Sequence, residues 1–218
     1  PALAVGLVLS MSACSDQPAN TNGAADNAAQ SMQAANADFY ANNPFAQPSS
    51  LQYEAPDFRI IEDEHFMPAF EQGMAEHKAE IQAIINNPEA PTFENTIVAM
   101  EKSGELLSRV SRVFYSLSGT DSNEARRALQ RELSPKMSAH SDDINLNPDL
   151  FARVEAVYNQ RDSLNLDAES ERLLEVYYNR FVRSGAKLTA EQRQQIRALN
   201  EEHANLATQF SQNQLAIT

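Results

Sequence analysis

Past about residue 57 the apolar positions recur every three to four residues, the mark of helices with one buried side. Phe66, Phe70, Met74, Ile81 and Ile84 or Ile85 predict a first helix over residues 64 to 86, with Pro68 tolerated in its first turn. The string "NNPEAPT" ends it. Thr92 is the N-cap of a second helix, whose stripe is Ile97, Met100, Leu107, Val110, Phe114 and Leu117, with Gly104 as a flaw or break. A third starts near Ser122 and carries Leu129 and Leu133; Pro135 is expected to kink or end it before a further turn from Met137 to Ile144. Asn147 and Pro148 read as an N-cap and an N1 proline, opening a fourth helix with Leu150, Phe151, Val154 and Val157. Asp167 starts a fifth, with Leu173, Leu174, Tyr177 and Phe181, ended by Gly185. Thr189 and Gln192 form a capping box that opens a sixth helix of roughly 25 residues, about 40 Å long. Its stripe of Ile196, Leu199, His203, Leu206 and Phe210 is expected to pack on a partner helix, with His203 a core or boundary residue. No period-two alternation is sustained, and no Asn-Gly or Asp-Gly hairpin signal lies past Asp57. The predicted fold class is all-α.

The first 56 residues read differently. Residues 1–13, "PALAVGLVLSMSA", form an uncharged apolar run too short to span a bilayer but fitting the core of a secretory signal that lacks its basic start. "MSAC" then puts small residues before Cys14, the sole cysteine, which excludes an internal disulfide. This resembles the lipobox of bacterial lipoproteins. It implies that Cys14 is lipidated and anchors the chain in the bacterial cell envelope, facing the periplasm; Ser15 after it favours the outer membrane over the inner. Residues 14–56, rich in Ala, Asn, Gln, Ser and Pro, are expected to be a flexible tether with a weak helix around residues 31–40. The folded region is then residues 57–218, enough for one core. The net charge of −13 and the lack of a basic patch argue against a nucleic-acid partner.

"EDEHFMPAFEQGMAEHKAE", residues 62–80, contains the pairs Glu64-His65 and Glu76-His77 on one predicted helix. A zinc-protease helix carries its histidines at i and i+4, on one face. His65 and His77 diverge by about 120° and stand roughly 18 Å apart along the axis, so they cannot share an ion. The other histidines, His140 and His203, lie in no H-E-x-x-H string. The expectation is a helix-start role for His65, a solvated surface position for His77, and no catalytic or metal-binding residue in this chain.

Four collinear strings are more specific: "HFMPAFEQGM" at 65–74, "NNPEAPTFENTIVAMEKSGELLSRVSRVFYSL" at 86–117, "INLNPDLFARVEAVY" at 144–158 and "LLEVYYNRFVRSGAKL" at 173–188. They resemble the N-terminal half of the M3 zinc metallopeptidases, and within that family the peptidyl-dipeptidase (Dcp-like) branch. Phe93 to Ile97 and Glu101 to Gly104 look more Dcp-like than oligopeptidase-A-like. The resemblance covers residues 57–218. It implies the helical N-terminal lobe of a larger two-lobed enzyme that acts on short unfolded peptides, with this lobe a wall of the substrate channel. Its zinc ligands and general base would lie in a catalytic lobe beyond Thr218. A non-catalytic helical lipoprotein that binds peptides or partner proteins is the competing reading.

Overall fold

The computed structural model describes residues 36–217, with side chains through residue 215. Among the described residues every regular element is helical. α1 (Phe66–Ile85) follows a 3₁₀ turn at Asp63–His65. A π-helical turn, Phe93–Val98, runs into the short α2 (Ala99–Glu101). Then come α3 (Glu105–Thr120), α4 (Glu124–Asn145), α5 (Pro148–Asn159), α6 (Ala168–Ser184) and α7 (Ala190–Ile217).

The expected punctuation is mostly present. The Thr92 hydroxyl accepts from the Asn95 N–H at 3.0 Å, and the Asn95 side-chain oxygen accepts from the Thr92 N–H. The Asn147 side chain caps α5 ahead of Pro148, the Asp167 carboxylate caps α6, and the Thr189–Gln192 box precedes α7. Gly185 ends α6 with φ +106°. Each such cap satisfies backbone donors or acceptors that the helix end leaves open.

Gly104 is the break its position allows: at φ +71° it divides the second predicted helix into α2 and α3. Two expectations change. Pro135 does not end its helix; α4 runs through it. One proline removes one donor from the ladder, and the neighbouring turn is held by α7, where Ser134 donates to the Ala204 carbonyl at 2.9 Å and receives a bond from Thr208. The tether expected through residue 56 gives way to packed chain by Phe39. Phe39 and Phe45 are buried beside Phe66, because these two rings in an otherwise polar stretch find a hydrophobic wall to cover.

The interior divides into two cores. The first joins Phe39 and Phe45 to the front of α1 (Phe66, Ala69, Phe70), to α3 (Leu106, Val110, Phe114) and to Leu133 of α4. Phe114 meets Phe66 edge-on at 5.1 Å and Phe70 at 5.4 Å between ring centres. Gly73 lets α1 approach α3 closely; a Cβ there would stand 2.9 Å from the Leu107 backbone. The second core joins the end of α1 (Ile81, Ile84), Phe93, Ile97 and Met100 to Ile144, α5 and α6. Buried Arg153 donates to the carbonyls of Asn87 and Glu89 and so fixes the loop between α1 and the π turn.

α7 lies along α4, but not by its apolar stripe. Arg197, Asn200, Ala204, Thr208 and Gln212 make the contact, while Leu199, Leu206 and Phe210 are 59%, 57% and 70% exposed and His203 faces solvent. Beyond half-buried Ile196, the stripe expected to pack on a partner helix thus points away from α4. The visible side of α4 offers Ser134, Asp142 and Asp143, which hydrogen-bonding residues satisfy and leucines do not. No described helix is long and apolar enough to cross a membrane.

Candidate functional site

His65 has the role its position predicts. Its Nδ1 accepts from the Glu62 N–H at 3.0 Å and its carbonyl from Asn43, so it fixes the start of α1. His77 does not. It is half-buried, and its Nδ1 lies 3.0 Å from Nε2 of buried His140 on α4. This corrects the solvated surface position that the sequence reading gives it. A different signal was available: His77 continues the Phe70, Met74, Ile81 stripe and His140 the Leu133, Met137, Ile144 stripe. A polar residue on a stripe that is buried needs a partner, and here each is the other's.

Around the pair is a cleft of about 400 Å³ lined by Met100, Glu101, Ser103, Tyr177 and Arg180 among others. The Tyr177 hydroxyl donates to Glu101 at 2.6 Å. Burial, then this carboxylate, keeps the phenol protonated far above its ordinary range. Glu80 accepts the Gly104 N–H at 2.7 Å, and a Cβ on Gly104 would strike the His77 ring at 2.9 Å. The site therefore requires glycine at the break for both its left-handed backbone and its missing side chain.

The electrostatics favour neutral rings. His140 Nδ1 is buried without a partner. If neutral His140 donates from Nε2, only a lone pair is left at Nδ1; a protonated ring would leave an unpaired buried N–H, which costs more. Burial first, then His77 and Lys78, push His140 down to about 4. Burial also lowers His77, with Glu80 opposing.

The pair does not resemble a metal centre. Its ring centres are 5.0 Å apart with nitrogens 3.0 Å apart, so the rings meet nearly head-on. Two nitrogens on a tetrahedral zinc, each at roughly 2.0–2.1 Å from it, would have their lone pairs converging on the ion from the side, whereas these two point at each other and leave no room between them. Among the described residues no group of three or more His, Cys, Asp or Glu side chains is placed to hold a metal ion. Cys14 lies outside the described residues.

A second hollow lies between residues 43–61 and α3, as adjoining spaces of about 310 and 470 Å³. Tyr53 and Glu54 on its rim have φ of 59° and 55°, unusual for residues other than glycine. Its arginines are engaged: Arg109 donates to the Phe45 carbonyl and to Glu105, and Arg112 to Ser108.

No family model matches the chain. Individual relatives do. It is 46% identical over 176 residues to the dipeptidyl carboxypeptidase of Salmonella typhimurium and 47% identical over 174 residues to that of Escherichia coli. These matches cover 81% and 80% of this chain but 26% of each relative, so the chain spans about a quarter of their length. Oligopeptidase A of Haemophilus influenzae is 27% identical over 164 residues, 75% of this chain and 24% of the relative. The chain belongs to the M3 family of peptidases, matching its N-terminal portion, and is more similar to dipeptidyl carboxypeptidases than to oligopeptidase A.

Proposed function

We propose that this chain is the N-terminal helical part of a zinc-dependent peptidyl-dipeptidase that releases C-terminal dipeptides from short, unfolded peptides. The observation that carries the reading is the similarity, at 46–47% identity over four-fifths of the chain, to proteins named dipeptidyl carboxypeptidase. In this reading the helices form one wall of a substrate channel, which admits extended peptides and excludes folded proteins. In the same reading the metal and the groups that act on the peptide bond are held in another part, outside the portion matched here, which is about a quarter of each relative. The exposed row of Leu199, Leu206 and Phe210 agrees with this, as a face that such a part would cover. We further propose that Cys14 is lipidated and holds the enzyme at the periplasmic side of the cell envelope, at the outer membrane rather than the inner.

The test compares two blocked peptides of the same sequence, one with a free C-terminal carboxylate and one amidated, incubated with the full-length gene product. Stepwise release of dipeptides from the free peptide, strongly slowed by the amide, is expected. Internal cleavage of both would point to an oligopeptidase. Cleavage of neither would leave a helical lipoprotein that binds peptides or partner proteins. The 218-residue chain alone is expected to cleave nothing with or without added zinc, and turnover by it would overturn the assignment of the chemistry elsewhere. Mass spectrometry of the mature N-terminus tests the anchor at Cys14.

A further inference from the structure

The two cores meet at a seam, and the chain crosses that seam at polar or glycine positions. On α1, Phe70 belongs to the first core and Ile81 to the second, with His77 between them. On α4, Leu133 belongs to the first and Ile144 to the second, with His140 between them. From Met100 of α2 to Leu106 of α3 the chain crosses at Gly104, which lies against the His77 ring. Three crossings therefore converge on one 3.0 Å contact between imidazoles, at the edge of the 400 Å³ cleft. We propose that the His77–His140 contact is a proton-operated hinge: neutral, it ties the two cores together, and uptake of a proton releases it so that they part about Gly104.

The surroundings favour release over accommodation. The charged and titratable groups around the pair are Lys78 and Glu80 from α1, Glu101 from α2, Asp142 and Asp143 from α4, Tyr177 and Arg180 from α6, and Arg197 from α7. The carboxylates among them are already engaged. Glu80 holds the Gly104 N–H and Glu101 the Tyr177 hydroxyl. Asp143 is shared by Lys78 at 2.6 Å and Arg197 at 2.9 Å, and Asp142 accepts from Asn200 at 2.7 Å. Glu80 favours a charged His77 and Asp143 a charged His140, but burial outweighs both. A proton added to His77 Nδ1 faces two donors toward each other, or forces an unpaired N–H onto buried His140 Nδ1. Either outcome removes the link or buries an unsatisfied donor.

Hydrogen exchange of the 218-residue chain at pH 7 and pH 5, corrected for intrinsic rates, tests the hinge. Protection is expected to fall in residues 73–81, 100–107 and 137–144, by up to about tenfold per pH unit, the limit for one proton taken up. The middles of α3 and α6 should keep theirs. His140→Gln takes up no proton itself, and its amide can donate to a neutral His77 or turn its oxygen to accept from a charged one; it should keep the pH 7 pattern and lose the response to acid. An unchanged seam in the wild type, an equal response in H140Q, or loss spread evenly over all helices would overturn the proposal. If H140Q does not fold, ring NMR of wild-type His140 decides. A midpoint well below about 6.5 that tracks seam exchange supports the hinge, and a midpoint at or above that value overturns it.

Discussion

Two helix pairs in this molecule do the same structural task with opposite materials. α1 meets α3 through phenylalanine rings, leucines and the bare backbone of Gly73. α4 meets α7 through Ser134, Thr208, Asn200, Asp142, Arg197 and Gln212. The first contact draws on area removed from water, which is non-directional and large. The second draws on hydrogen bonds worth about 1 kcal/mol each net, which add modest energy but fix register. The difference teaches that a helix docks by the face its partner can satisfy. α4 offers α7 hydroxyls and carboxylates, so the apolar stripe of α7 stays outside.

The largest test of this contrast is Phe114→Ala, which opens a cavity between α1 and α3 and should cost about 3–5 kcal/mol in urea unfolding. A loss under about 1 kcal/mol would mean that the dry contact is not where the stability lies. Acid comes next, because His140 links the two pairs. Its folded pKa is depressed to about 4 while the unfolded ring titrates near 6.5. The unfolded chain therefore binds the extra proton in that window. Stability should be complete above about pH 6.5 and fall by up to about 3 kcal/mol as pH drops toward 4. H140Q should flatten that slope. Asn200→Ala removes the donor to buried Asp142 and should cost about 1–3 kcal/mol, with exchange protection lost on α7 and retained on α3. Leu206→Ser, on the exposed stripe, should change the stability of this chain by no more than about 0.5 kcal/mol. A larger loss would show that the stripe is covered after all.

Much of the fold was legible because caps and stripes agree. Thr92, Asn147, Asp167, Gly185 and the Thr189–Gln192 box all mark real helix ends, each through a local bond that neighbouring residues decide alone. What failed depends on distant chain. Pro135 is carried through its helix by contacts from α7 that no local rule contains. Phe39 and Phe45 look like stray apolar residues until the α1–α3 wall exists for them to cover. The two misread histidines are instructive together. His77 and His203 each sit on an apolar stripe, yet one is half-buried against another imidazole and the other faces solvent. Periodicity says that a stripe exists; only the partner's surface says whether it is used. The His77–His140 pair joins positions on different helices, so local spacing could not reveal it.

The polar α4–α7 contact also has a consequence in time. Its bonds close loops of 54 to 85 residues, as between Asp143 and Arg197 or Arg127 and Gln212, whereas α1–α3 contacts such as Gly73 with Leu107 and Phe66 with Phe114 span 34 and 48. Closing longer loops costs more entropy, and directed bonds return nothing until both partners are in register. α7 should therefore dock last, on a template already assembled. Pulse-labelled exchange during refolding would show this as protection in α3 ahead of α7. A chain emerging from the ribosome would then bury its phenylalanine cluster first and add its longest helix as a late, reversible step.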